Sequence, residues 1–396
     1  MVSYPFFILC LQQNKPVNLT WILRVACMMQ IAGIGVLFVF EAVRMKDVGI
    51  GETAIGLILG ASSGIFIVSS LYWARLADRK HLHKALIIWG SLGYGVLMLY
   101  FSTCEHVWEF ILYSVLKSIL IPMIIGMMPT LVVESFGGAR QGSNFGIYRA
   151  FGSLGFMLGA MFLPMLFDEI STIARVGSLF VFLSIPLILR IPEPDTSPMK
   201  VAPLGFRGLH PGIKLFLISF FFVALAEPSV HQFFSAYARE LGGSTRSLGL
   251  LSGMMGFVAL IFLPIIGKWI DRINPIHMLT ISFLAQSVRV LITSFIGQVE
   301  MLWIPILLHG LCWGGIEVAA IVYLSSLAKK GHKATVLSYY LAVRMFGQLF
   351  GAALSGYLAE NAGYTIMFRT MALGALIGSI IYIWGTYFSK KVRQEP

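Results

Sequence analysis

Glu227 stands in the middle of a long apolar stretch, with Pro228 directly after it and His231 four residues on. Four residues make about one helical turn, so on an unbroken helix the carboxylate and the imidazole share a face. A carboxylate taken out of water beside an imidazole is chemistry for accepting and passing on a proton. The plainer alternative is a Glu–His pair that fixes the bend imposed by Pro228, which has no N–H to donate. Glu317 lies in a second such stretch, behind Gly314-Gly315 and with His309 about two turns before it. It is either a further proton site or the partner of an arginine such as Arg289 or Arg344.

Lys117, Arg149, Arg289 and Arg344 are cations in stretches of the same kind, with Gln30 as a polar companion. A charged side chain at the centre of a bilayer costs about 2.5–3.5 kcal/mol on insertion scales. Each therefore needs a partner, an aqueous hollow or a task. Arg149 and Arg344 sit at matching depths, which suits two guanidinium forks closing on one carboxylate. It also suits two latches at the mouth of a helix bundle, and the closeness of both arginines to the cytoplasmic ends of their helices favours the latch. Lys117 is deeper and better placed to touch a bound solute. Tyr94, Trp313, Tyr237, Tyr340 and Phe346 are candidates for an aromatic lining.

Elements must hold these groups. Of 396 residues 57% are apolar and 12% charged, about half the charge of an ordinary soluble domain. Mean hydropathy is +0.82. The chain reads as an all-α membrane protein. A bilayer crossing takes about 20 apolar residues, and such stretches run 19–43, 53–74, 85–103, 108–133, 145–167 and 172–189, then 213–238, 248–270, 276–296, 302–327, 336–359 and 365–388. The polar, proline-broken segment 191–212 separates two six-helix bundles, 19–190 and 213–388, with 1–18 as a lead and 389–396 as a tail. No basic region precedes the apolar run near the start, so 1–18 is expected to be a cytoplasmic lead and not a signal peptide.

The net charge of +11 has a direction. Eighteen Lys and Arg fall on the side of the termini and six on the other. The positive-inside rule then places both termini in the cytoplasm, as expected for a multi-pass inner-membrane protein. The excess is an orientation signal and not a nucleic-acid footprint. Four cysteines without a CxxC argue against a disulfide framework or a zinc site. No G-x-x-x-x-G-K-[S/T] occurs, so no ATP site and no cofactor is expected. Neither a nucleophile–base pair nor a metal constellation points to an enzyme.

The two halves repeat one another. Asp78-Arg79 after the second stretch returns as Asp271-Arg272 after the eighth, and Arg149-Ala150-Phe151-Gly152-Ser153-Leu154 returns as Arg344-Met345-Phe346-Gly347-Gln348-Leu349. Parallel repeats of this kind build transporters. Arg75-Leu76-Ala77-Asp78-Arg79-Lys80 resembles the loop-2/3 signature of the major facilitator superfamily, although the glycine usual before it is replaced around Tyr72–Ala74. Tyr148 to Phe156 is similar to the helix-5 motif of the branch that holds phenylpropionate permeases and nucleoside–proton symporters.

The resemblance implies twelve transmembrane helices in two pseudo-symmetric bundles, and secondary active transport of a small organic solute by alternating access. It implies inner-gate ion pairs at Asp78 and Arg79; Asp271 and Arg272 are their repeat-derived copies, with Glu134 at a neighbouring helix end. Glu227, His231, Glu317 and His309 are the proton-coupling candidates. Lys117, Arg289, Arg344, Arg149 and Gln30 are the substrate-binding ones. Counted as Lys117, Arg149, Arg289 and Arg344 against Glu227 and Glu317, the interior leans positive, which favours an organic or aromatic carboxylate taken up with protons. The alternatives are proton-coupled efflux of drugs or metabolites, uptake of a nucleoside or sugar, and a membrane sensor that transports nothing. The expected partners are the solute, protons and the lipid bilayer, for a chain acting as a monomer.

Overall fold

The computed structural model describes residues 16–128, 131–132, 141–192, 205–270, 272–329 and 332–388, the side chains of 16–18, 78, 141–146, 334 and 388 excepted. Regular structure among them is helical throughout. The crossings are α1 (Pro16–Asp47), α2 (Glu52–Lys80), α3 (His83–Phe101), α4 (Val107–Ile125), α5 (141–166), α6 (Ile170–Leu189), α7 (211–240), α8 (Thr245–Ile270), α9 (Pro275–Thr293), α10 (Val299–Leu327), α11 (333–362) and α12 (364–388). Among the described residues ten helices are long and apolar enough to span a bilayer unaided. One of them, Thr335–Tyr387, is two crossings, because Gly363 takes φ +83° and turns the chain back. Only glycine adopts that conformation without strain. The remaining crossing is α7, built as Pro211–Leu225, Glu227–Val230 and Gln232–Glu240.

Local chemistry sets the boundaries. At the start of α4, His106 and Glu109 form a reciprocal capping box, which satisfies two otherwise unpaired N–H groups. Asn274 caps α9 by accepting the Ile276 N–H at 2.9 Å, with Pro275 in the first turn, where a missing donor costs nothing. In the fourth apolar stretch α4 ends at Ile125 with Gly126 as its cap, and the chain is helical again at 128 and 131–132.

Each half has its own aromatic core. Tyr94, Phe101, Phe110 and Tyr113 are buried in the first, and Phe216, Phe220, Phe283, Tyr340 and Tyr382 in the second. Tyr94 and Tyr340 thus serve packing within a half and not a lining between halves. An even number of crossings brings the start of α1 and the end of α12 to one face, here the terminal face.

The halves meet along two antiparallel seams. In α2, Gly56 abuts the Ala352 carbonyl and Gly356 of α11, and Gly60 lies against Leu349. In α8, Gly249, Gly253 and Gly256 lie against Pro164, Met161 and Phe156 of α5. Backbones approach closely at such positions because no Cβ intervenes. Followed at helical spacing toward the terminal face, both seams come apart. Val68, on the same stripe as Gly56 and Gly60, is 70% exposed, Phe346 is 47% exposed, and Gly267 has nothing within 4 Å of where a side chain would begin.

Polar bonds hold the opposite face shut. Lys46 pairs with Glu240 at 2.6 Å, Arg239 with Asp47 at 2.8 Å and Arg246 with Asp168 at 3.3 Å, and the Thr53 N–H donates to Glu360 at 2.6 Å. All four link one half to the other. The space between the halves is a wedge, closed at that face and open at the terminal face.

Candidate functional site

The site starts at the interruption of α7. Helical bonding ends at Leu225, resumes for one turn at Glu227–Val230, and fails again at His231, whose φ/ψ are −119°/−73°. Pro228 cannot donate to the preceding turn, which leaves the backbone there to be satisfied by other groups. The break turns Glu227 toward α11. Its carboxylate accepts from Arg344 Nε at 3.0 Å and from Gln348 Nε2 at 2.7 Å, two donors one turn apart on α11.

Glu317 reaches the same arginine from α10. A π-helical turn at Gly310–Gly314 precedes it and shifts the face that the next residues present. Arg344 Nη1 donates to Glu317 Oε1. One guanidinium therefore holds two carboxylates, with side-chain exposures of 13% for Arg344 and 7% and 18% for Glu227 and Glu317. Charge-assisted bonds of this kind are strong in a poorly solvated place. With both carboxylates ionised, the trio carries one negative charge in excess.

His231 does not join it. Because α7 is not continuous between Glu227 and His231, four-residue spacing no longer sets a shared face, and no hydrogen bond links them. The His231 ring sits edge-on to His309 at 5.6 Å and near Phe38 of the first half at 5.8 Å. His309 stacks on Trp313 at 5.9 Å. The paired-imidazole reading of Glu227 is corrected accordingly: its neighbours are a guanidinium and an amide.

Arg289 lies deeper still. It is 1% exposed and forms no ion pair; Nη2 donates to the Val230 carbonyl at the α7 break at 3.3 Å and faces Met255 Sδ at 3.9 Å. Its Nη1 has no acceptor. Direct solute contact is thus ruled out for Arg289 in this conformation. Gln30 is likewise withdrawn, 2% exposed and donating to Ser91 Oγ at 2.9 Å in the α1–α3 contact inside the first half.

Lys117 is bound by a carboxylate that is not among the sequence-derived candidates. Glu41 of α1 is 4% exposed and accepts from Lys117 Nζ at 2.6 and 2.5 Å, with Ser114 Oγ donating at 3.3 Å. A signal was available, since Glu41 falls inside the apolar stretch 19–43 and a charge there needs a partner. Arg149 is exposed on the α5 stripe where the α5–α8 seam has come apart, and no described side chain pairs with it. Arg79 and Arg272 are exposed at the terminal face. Glu134, Asp271 and the side chain of Asp78, the other inner-gate candidates, lie outside the described residues.

These placements change the charge count. With Glu41 inside and Arg149 at the open mouth, Lys117, Arg289 and Arg344 face Glu41, Glu227 and Glu317 among the described residues. The interior is balanced and no longer leans positive.

The sequence profile of the MFS_1 like family matches residues 20–370. The chain belongs to that family. It is a multi-pass major facilitator protein and a secondary transporter. Multidrug resistance protein MdtG of Escherichia fergusonii is 25% identical over 394 residues, covering 93% of this chain and 94% of that protein. MdtG of Escherichia coli K12/DH10B is 23% identical over 410 residues, covering 97% and 98%. Among solved structures, the nucleoside transporter NupG aligns with a TM-score of 0.74 at 14% identity, covering 94% of this chain and 100% of that one. A bacterial homolog to the human lysosomal transporter Spinster, inward-facing and unoccupied, aligns with a TM-score of 0.78 at 14% identity, covering 97% and 100%. The two solved structures share the major facilitator fold with this chain.

Proposed function

We propose that this major facilitator protein exports a cationic or amphipathic organic solute from the cytoplasm in exchange for a proton. The observation that carries the reading is the single guanidinium of Arg344 shared between Glu227 and Glu317. A site with one carboxylate in excess, set in a medium that penalises uncompensated charge, binds one positive charge well. A proton or an organic cation satisfies it, and not both together. Mutual exclusion at one site is the elementary rule of an antiporter. The Lys and Arg bias supports a terminal face in the cytoplasm of an inner-membrane protein, and with it an open wedge that receives solute from inside, in a chain that functions as a monomer. The names of the MdtG relatives, multidrug resistance proteins along nearly their whole length, support the outward direction.

Proteoliposomes with the potential clamped at zero test it. An inside-acid gradient should drive accumulation of tetraphenylphosphonium, and Glu227→Gln should abolish that accumulation. Accumulation of benzoate under an inside-alkaline gradient beyond that of protein-free liposomes, with no effect on tetraphenylphosphonium, sinks the export reading. It would favour proton-coupled uptake of an organic carboxylate, for which the unpaired Arg149 at the open mouth of the wedge is the supporting observation.

A further inference from the structure

Two cations and two carboxylates share the region around the α7 break, and they are unevenly divided. Arg344 holds both Glu227 and Glu317, while Arg289 holds none. Yet Arg289 is the more deeply buried, 1% exposed, with Nη1 unpartnered and a single carbonyl, Val230, as oxygen acceptor for Nη2. A buried guanidinium without a carboxylate is costly to keep. Glu227 is the carboxylate of the same short turn, three residues before the Val230 carbonyl that Arg289 holds. The other ionisable groups around Arg289 are His231 on α7 and His309 and Cys312 on α10, none of them an anion in ordinary solution.

Val230 and Glu227 occupy the one short turn between the two interruptions of α7. Beyond it, Gln232–Glu240 runs to the shut face, where Arg239 and Glu240 are tied to Asp47 and Lys46 of α1. When that face opens, the ties break and the outer piece moves about the interruption, taking the Val230 carbonyl from Arg289. The geometry points to a handover: Glu227 leaves Arg344 for Arg289 as the outer face opens, so that each arginine then holds one carboxylate. Arg289 is a positioning residue in this scheme, acting on the solute only through Glu227.

The handover deepens the antiport reading above and rests on it. In the conformation described, the excess negative charge is at the wedge and holds a cation. After the handover that excess is gone, and the cation is released on the far side. A proton arriving there neutralises Glu227, frees it from Arg289 and permits the return. Both Glu227 and Glu317 face Arg344 of α11, and Glu227 also faces Gln348.

The test separates binding from turnover. In nanodiscs Arg289→Gln should bind tetraphenylphosphonium within about twofold of the wild-type affinity, because the wedge site is untouched. In proteoliposomes its exchange rate should fall by about 30-fold or more, as expected when a buried charge partner is removed, and Arg289→Lys should recover most of the loss. An exchange rate within about twofold of wild type overturns the handover and leaves the antiport reading standing. Failure of the wild type itself to exchange tetraphenylphosphonium for protons removes the antiport reading instead. Should Arg289→Gln not fold, Glu317→Gln decides. With Glu317 neutral, Glu227 is the only carboxylate on Arg344 and cannot leave, so spin labels on Glu105→Cys and Glu300→Cys should stay at one short distance from pH 5 to 9. Widening of that distance to the wild-type extent overturns the handover.

Discussion

Lys117 and Glu41 form the one tight ion pair buried within the first half among the described residues, at 2.5 Å and with side-chain exposures of 14% and 6%. Removing one member leaves the other desolvated and unpaired, a loss of about 3–5 kcal/mol, whereas removing both leaves an apolar contact that is close to neutral. Lys117→Met should therefore lower stability by that amount in a denaturant titration, and Glu41→Gln added to it should restore most of the loss. Additive losses would assign the two residues separate roles. At this scale the sequence was legible as chemistry and not as pairing. Glu227, Glu317 and Arg344 announce themselves as charges in apolar stretches, but periodicity cannot say which of four cations meets which carboxylate. The assignment depends on the facing of helices about a hundred residues apart in the chain, as with Arg344 and Glu227, 117 positions apart.

At the scale of elements, composition locates the crossings because a bilayer sets their length. Even so, α7 came out in three pieces where an apolar run from 213 to 238 suggests one. Helical spacing assigns a shared face only while the hydrogen-bond ladder is intact. Past Pro228 it is not, and His231 turns away from Glu227. The glycine stripes are more dependable, since a missing side chain is a sequence fact. At Gly56 a Cβ would meet the Ala352 carbonyl and the Gly356 backbone, neither of which can swing aside, whereas at Gly267 it meets nothing. Gly56→Ala should consequently force the α2–α11 seam apart, slow exchange and bias the protein toward opening of the shut face. Gly267→Ala should leave exchange near the wild-type rate. Equal effects in a transport assay would mean that the α2–α11 seam is not the surface on which the halves turn.

For the whole molecule, the wedge is shut at one face by polar bonds and close backbone contacts together. The arrangement of twelve crossings followed from hydropathy and the internal repeat, but which end is closed did not, because both ends carry charges. The closing bonds are Lys46–Glu240, Arg239–Asp47, Arg246–Asp168 and Thr53–Glu360. All involve exposed or partly exposed groups, and the ion pairs Lys46–Glu240 and Arg239–Asp47 contribute about 0.2–1 kcal/mol each and are weakened by salt. A lock of that size suits a carrier, since a deeper well would hold it in one state. Asp47→Asn combined with Glu240→Gln removes two of the four bonds, and at about 1.4 kcal/mol in total should raise the population with the outer face open by about tenfold. Distances between labels on Glu105→Cys and Glu300→Cys would report the shift, and high ionic strength should reproduce part of it in the unmodified lock. If neither the double substitution nor salt changes the distribution, the glycine seams alone hold the face shut, and the energy that opens it must be sought at Arg344 and its two carboxylates.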